Sequence, residues 1–436
     1  MTRDFICSNL SLGSGGHLCF AGHDTAELVR QYGTPLYLMD EQLIRRRCRT
    51  YLDAIRKYFG GRGNVLYASK AAAFKRIYEI MAEEGMCVDV VSPGEIFTAF
   101  KAGFPMERAW FHSNNKTDED IRFAMEHDVG TFVIDSTEEL LAVDRIAGEL
   151  GRIQKVMLRL TPGIDTHTFE AVATGKVDSK FGFAIETGQA DTVTELALTL
   201  ENLELSGFHC HVGSMVFDSD VFIRSAKIML SFIAHIRYTH NYTAPELNLG
   251  GGYGVRYLAS QPELDLDANL AEVAEKVSAM CRELYLPQPA ISFEPGRSIV
   301  ADAGLTLYTV GMVKRIPGFI NYVSVDGGMT DNIRYALYGA EYTVLPASHM
   351  EEPREMCCSV VGRCCESDDV IQPNVCLPES TQRGDLIAVC TTGAYNYSMA
   401  SNYNRVPRPP VVMLDGEKSY VAVKRESLED LLLLDA

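Results

Sequence analysis

The sequence predicts an α/β barrel joined to a second, mostly β domain. The barrel is a (β/α)8, TIM-like unit over residues 36–305. The separate β domain, a sandwich or barrel, is built from the N-terminal segment 1–35 and the C-terminal part 306–436. Three observations lead there. Eight short apolar or β-branched runs recur, most followed by a segment of helical period. Polar residues cluster at the C-terminal ends of those runs, and after residue 305 the helical period fades into strand-like runs punctuated by Gly and Pro. A chain of 436 residues also exceeds what one hydrophobic core usually supports, so two domains are expected.

In order, the eight runs are 65–68, 88–91, 110–112, 132–134, 156–160, 205–212, 247–249 and 291–294. Between the first two, Phe74, Ile77, Ile80 and Met81 fall on one helical face, and Gly85 stands where a C-cap glycine belongs. A doubly wound open sheet is the structural rival. The polar residues favour the barrel: Lys70, Asp89, His112, Arg159, His211, Gly250–Gly252 and Glu294 all lie in or just after strand ends. In a barrel those ends converge on one mouth, where the chemistry of this fold is carried. Further strands are expected at 305–310, 322–325, 358–361, 386–390, 411–414 and 420–423.

Composition narrows the partners. A net charge of −18 argues against nucleic acid or an anionic membrane. The N-terminus has neither the apolar core nor the cleavage site of a secretory signal, and no apolar run approaches the roughly 18 residues of a membrane span. Twelve cysteines are scattered, and the pairs Cys357-Cys358 and Cys364-Cys365 lack zinc-site spacing. A reduced, cytoplasmic protein without a metal site is expected, in which any special cysteine is special for reactivity.

Lys70 sits between Tyr67-Ala-Ser and Ala71-Ala-Ala. It is either a solvated lysine at a helix start or an amine desolvated by its small neighbours, with a lowered pKa suited to a Schiff base. If its partner is pyridoxal phosphate, the chain must also supply a phosphate cradle, a group to lie on the ring and a partner for the ring nitrogen. Residues 247–254, Leu-Asn-Leu-Gly-Gly-Gly-Tyr-Gly, offer a glycine turn whose N–H groups can hold phosphate, or simply a tight turn. His209-Cys-His211-Val-Gly-Ser214 offers an imidazole and a hydroxyl, or a satisfied core histidine. In Glu294-Pro-Gly-Arg297 the carboxylate suits a pyridine nitrogen, against the alternative of an ordinary ion pair.

Taken together, Tyr67–Lys70, Val88–Ser92, Phe111–Lys116, Asp178–Phe183, His211–Ser214, Gly250–Gly252, Glu294–Arg297 and Gly393–Tyr395 resemble the fold-type III, pyridoxal-phosphate-dependent amino-acid decarboxylases. Asp326–Ala340, Cys365-Glu366-Ser367 and Met399–Asn404 resemble the branch of that family acting on diaminopimelate. The resemblance runs from about Pro35 to Leu414. It implies that Lys70 binds the cofactor aldehyde and His211 stacks on the ring. Asp89, Ser214, Gly251, Gly252, Gly296, Arg297 and Tyr395 would attend the cofactor or its phosphate, with Glu294 at the ring nitrogen. Arg297, Arg334, Tyr338, Glu366 and Tyr395 would hold substrate, and Cys365 would deliver the proton, with Lys70 as rival donor. Cys365 and Glu366 would serve the neighbouring subunit's site, which implies a homodimer.

Implied chemistry and charge agree. A substrate with a second amino-acid centre needs cations for its distal carboxylate, which Arg297 and Arg334 offer as bidentate forks, and an anion for its distal ammonium, which Glu366 offers. Meso-diaminopimelate would lose CO2 and become L-lysine, the last step of lysine biosynthesis. The chain departs from many relatives at Ala72, where they carry Asn, and at Asp368, where a glycine is usual; aspartate there would strain a loop that needed positive φ. A sister decarboxylase for carboxynorspermidine, arginine or ornithine, an alanine-racemase-type enzyme and a non-catalytic cofactor-binding homologue are the alternatives.

Overall fold

The computed structural model describes residues 5–163 and 179–436; Asp178, the first residue of one motif, lies outside them. The chain divides into two compact units. One holds the described residues up to Arg46 with Val255–Pro262 and Ile299–Ala436, the other the described residues of Arg47–Gly254 with Glu263–Ser298.

The second unit is the barrel. Its strands are β1 (Leu66–Ala68), β2 (Cys87–Val90), β3 (Ala109–Phe111), β4 (Thr131–Ile134), β5 (Gln154–Thr161), β6 (Leu203–His209), β7 (Glu246–Asn248) and β8 (Ala290–Ser292). All pair in parallel and in sequence order. A parallel bridge from Val65 to Phe293 closes the ring, with Leu66 N donating to Phe293 O at 2.8 Å and Phe293 N to Asn64 O at 3.1 Å. The eight expected runs are the eight strands.

Local chemistry sets the helix ends. Gly85 adopts φ 81° after Lys75–Glu84, the left-handed cap its position suggests, and Ile77, Ile80 and Met81 are buried beneath that helix. Ser92 and Ser136 cap Pro93–Lys101 and Thr137–Glu149, and Thr117 forms a reciprocal capping box with Asp120.

Inside the barrel, Leu66, Cys87, Trp110, Val133 and Met157 form one buried apolar cluster, one residue from each of the first five strands. A strand returns to the same face every second residue. Two residues further toward the C-terminal ends, the inward positions are therefore Ala68, Asp89, His112, Asp135 and Arg159. An apolar floor carries a polar layer, and that alternation is what delivers the functional side chains.

The first unit is dominated by strands. Its main sheet runs Val370–Leu377, Met356–Val361, Asn321–Val325, Gly304–Lys314, Leu36–Asp40, Val411–Asp415 and Lys418–Val423, with Leu386–Cys390 and Val344–Pro346 branching from it. All six strands expected after residue 305 are present. Leu36–Asp40, assigned by the sequence reading to the barrel side of a boundary at residue 36, pairs instead with Gly304–Leu307 and Val411–Leu414 in this sheet. It is wholly buried and precedes the helix Glu41–Tyr58, so by pattern it looks like one more β-α unit. Leu18, Phe20, Leu36, Leu38, Leu305, Leu307, Val412 and Leu414 share the core of this unit.

Candidate active site

In the barrel the polar layer centres on Glu294, two residues beyond β8. Its Oε1 accepts from Asn248 Nδ2 at 2.8 Å and its Oε2 from His209 Nε2 at 2.9 Å. His112 Nε2 lies 3.0 Å from Oε1 as an ion pair, off the line of an aligned hydrogen bond. All four residues are buried. Burial works against the Glu294 charge, but His112 and His209 outweigh it and hold the carboxyl well below the usual carboxylate range. Burial likewise opposes charge on His112, yet Asp89 and Glu294 win and raise its pKa. His209 goes the other way, its pKa pushed down to about 4 by burial. The network is thus an anion flanked by one imidazole whose charged form its neighbours favour, and hydrogen-bonded by one neutral imidazole. Since a carboxylate only accepts, His209 carries its proton on Nε2.

Asp89, on β2, is raised by burial against the pull of His112, and its Oδ1 has no hydrogen-bond partner among the described residues. Arg159, at the end of β5, lies 3.7 Å from Asp135 and stacks over Phe181. Glu95 is pushed up to about 7 by burial and by the nearby Asp89 charge.

Lys70 falls in the single turn Ser69–Ala71 that follows β1. Ser69, Ala71 and Ala72 are buried, but the lysine side chain is exposed. The small neighbours pack the turn against the barrel and leave the lysine side chain reaching out from it. The amine faces the site electrostatically: its charge adds to the burial that lowers the His211 pKa and works against the burial that raises that of Asp89. His211 is held well below the ordinary histidine range by burial, with Lys70 and Arg159 adding to the effect. Gly251 N donates to His211 Nδ1 at 3.3 Å, which fixes a neutral ring protonated on Nε2.

The glycine turn is built for close approach. Gly250 has φ +72°, and a Cβ there would meet Cys210 O at 2.5 Å; one on Gly251 would meet Glu294 O at 2.0 Å. Asn248 Oδ1 accepts from Gly250 N at 2.8 Å, so the same asparagine holds the turn and the carboxylate. Arg297 Nε and Nη2 both donate to Ser214 Oγ at 3.3 Å. Gly296 lets the chain pass Ala68, whose Cβ would lie 2.9 Å from a side chain there.

The first unit gathers the other predicted residues. Arg334 opens the short helix Arg334–Tyr338 and is buried, its guanidinium 5.4 Å from the Tyr338 ring centre and 5.0 Å from that of Tyr395. Its Nε has no hydrogen-bond partner among the described residues. Asp331, pushed up to about 7 by burial, accepts from Gly328 N at 3.0 Å and shapes the preceding loop. Cys365 and Glu366 lie exposed on the loop 362–369. Cys365 N donates to Asn404 Oδ1 at 2.8 Å, so the Met399–Asn404 motif anchors the loop that presents the thiol. Asp369 ties the loop base, accepting from Met329 N at 2.6 Å and Cys364 N at 2.7 Å. Asp368 is not among the residues of positive φ, so the strain expected from replacing glycine does not arise.

The donor set suits pyridoxal phosphate: a buried ionised acid for a ring nitrogen, a neutral imidazole for the ring face, an exposed amine for the aldehyde, and a glycine turn with a hydroxyl and a guanidinium for phosphate. Residues 41–301 match the family of the pyridoxal-dependent decarboxylase, pyridoxal binding domain. A diaminopimelate decarboxylase of Bacillus subtilis is 43% identical over 420 residues, covering 96% of this chain and 95% of its own. The chain belongs to the diaminopimelate decarboxylase family. The crystal structure of a family member from M. jannaschii in complex with L-lysine superposes with a TM-score of 0.91 at 31% identity, covering 98% of each chain. That of the Helicobacter pylori member, also with L-lysine, gives 0.85 at 31%, covering 94% of this chain and 98% of that one. The enzymes of this family are pyridoxal-dependent decarboxylases.

Sequence reasoning placed His112 at the barrel mouth and quoted His209 and Asn248 within motifs, but gave none of the three a role; His112 and His209 hold the Glu294 charge, and Asn248 donates to its carboxylate. The available signal was parity. His209 ends β6 with His211 two residues beyond it, and His112 is two beyond Trp110, so each continues an inward face.

Proposed function

We propose that this chain decarboxylates meso-diaminopimelate to L-lysine and CO2, the closing step of lysine biosynthesis, using pyridoxal 5′-phosphate. The observation that carries this reading is the buried Glu294 carboxylate, kept ionised by His112, His209 and Asn248 beside a neutral His211. The cofactor, when bound, supplies an electron sink for the bond broken at the substrate's Cα. Lys70 would hold its aldehyde carbon and yield it to the incoming amine. Glu294 would keep a proton on the ring nitrogen, where a neutral partner would let it go. His211 is uncharged, and so suited to lie on the ring face without opposing that positive charge. Ser214, Gly251, Gly252, Gly296, Arg297 and Tyr395 are assigned to the phosphate and its surroundings, and Asp89 to the cofactor's edge.

For the substrate, we assign Arg297 and Arg334 to carboxylate, Glu366 to the distal ammonium, and Tyr338 and Tyr395 to flanking contacts. Cys365 is assigned as the donor that returns a proton to Cα. We further assign Cys365 and Glu366 to the site of a second subunit, which makes the working enzyme a homodimer, and we place it in the cytoplasm. Twelve free cysteines fit a reducing compartment, and among the described residues no helix is long and apolar enough to cross a membrane.

Turnover of meso-diaminopimelate, ornithine, arginine and carboxynorspermidine, followed as CO2 release, tests the substrate. Diaminopimelate is expected to dominate kcat/KM, and a preference for any of the others overturns the assignment. Mixing inactive Lys70→Ala and Cys365→Ala protomers tests the shared site. Random reassortment leaves one intact site in about half of the dimers and restores roughly a quarter of wild-type activity. No recovery after verified subunit exchange would place Cys365 in its own chain's site.

A further inference from the structure

Two of the exposed cysteines face each other outside the site described above. Met356–Val361 and Val370–Leu377 are antiparallel, and their register sets Cys357 directly opposite Cys376. Both are exposed. Alternation turns the next residue, Cys358, onto the buried face.

The backbone refines this pairing. Cys357 O accepts from Asn321 Nδ2 at 3.1 Å, and Asn321–Val325 borders Met356–Val361 on the edge away from Val370–Leu377. The N–H and C=O of one strand residue point to the same edge, so Cys357 turns its backbone away from Cys376. The two are then a non-hydrogen-bonded pair, the class in which Cα atoms come within about 4.5 Å and side chains approach most closely. A disulfide accepts Cα separations of about 4.4–6.8 Å. In keeping with that pairing, the Cys376 pKa is raised by partial burial, then by the Cys357 thiol and its charge.

We propose that Cys357 and Cys376 form a reversible dithiol–disulfide site, closed by exchange with a small-molecule disulfide. The Cys357 thiolate attacks one sulfur of the small disulfide. That S–S bond breaks, one small thiolate leaves, and a mixed disulfide remains on Cys357. Cys376 gives its proton to solvent and attacks the Cys357 sulfur, forming the protein disulfide and expelling the second small thiol. Two protein thiols are oxidised and one disulfide is reduced to two thiols. The strands involved are the arms of the hairpin whose loop carries Cys365 and Glu366, so the bond fastens the base of that hairpin.

The test uses the full-length, cofactor-loaded protein equilibrated with oxidised and reduced glutathione in varied ratio, quenched by alkylation and mapped by peptide mass spectrometry. The expected product is a Cys357–Cys376 cross-linked peptide, with a loss of about 2 Da that a dithiol reductant reverses. In Cys357→Ser or Cys376→Ser the remaining cysteine is expected to stop at the glutathione adduct. The proposal is overturned if both cysteines stay alkylatable in oxidising mixtures. It is equally overturned if wild-type protein collects glutathione on either without the cross-link, or if the cross-link forms to another cysteine.

Discussion

His209 couples the active-site network to acid stability, and His209→Gln isolates that coupling. Glutamine can donate an amide N–H to Glu294 in place of the ring N–H, but it does not titrate. In the folded chain the His209 pKa is pushed down to about 4, against an ordinary value of about 6.5. Between those values the unfolded chain takes up a proton that the folded chain refuses. Stability contributed by the neutral ring is therefore complete above about pH 6.5 and is lost as pH falls toward 4. Near pH 4.5 the unfolded ring is protonated about a hundred to one, while the folded ring is mostly neutral. The difference is about 2.5 kcal/mol, from about 1.4 kcal/mol per tenfold step. Urea denaturation at pH 7 and near pH 4.5, followed by the fluorescence of Trp110, reads this directly. Trp110 is the only tryptophan and is buried in the barrel floor. The wild type is expected to lose about 2.5 kcal/mol more than His209→Gln over that interval. Parallel losses in the two proteins would refute the neutral, buried His209 and with it the charge assignment around Glu294.

Lys116, whose Nζ lies 2.7 Å from both Glu139 Oε1 and Val133 O, completes a buried ion pair. Lys116→Met is expected to cost about 3–5 kcal/mol by stranding the Glu139 carboxylate, and the double variant Lys116→Met/Glu139→Leu to recover most of it, by the same denaturation. Lys70→Ala is expected to abolish the visible band of the lysine-bound cofactor, near ~420 nm as a property of such adducts; a surviving band in the absorption spectrum would remove Lys70 from its assigned role. Arg334→Gln is expected to raise KM for diaminopimelate at least about tenfold while cofactor affinity, read by spectral titration, stays put.

What the sequence made legible was whatever depends on period and order. Eight runs became eight strands because a parallel barrel strand is apolar on both sides and bounded by turn residues, a pattern that survives in one dimension. Lys70, Asp89, His211 and Glu294 were visible as polar breaks at strand ends for the same reason. The rest depends on closure. That His112, just past the third strand, and His209, ending the sixth, meet Glu294 beyond the eighth follows only once Val65 pairs with Phe293 and the ring is shut. No spacing along the chain encodes it. Leu36–Asp40 fell on the barrel side of the boundary at residue 36 because a strand followed by a helix is locally indistinguishable from a barrel unit, and only its partners, Gly304–Leu307 and Val411–Leu414, settle its sheet. Lys70 carries the same lesson at one side chain: the alanines beside it report how tightly the turn Ser69–Ala71 is packed, whereas which groups feel its charge, Asp89 and His211, is set by the closed ring.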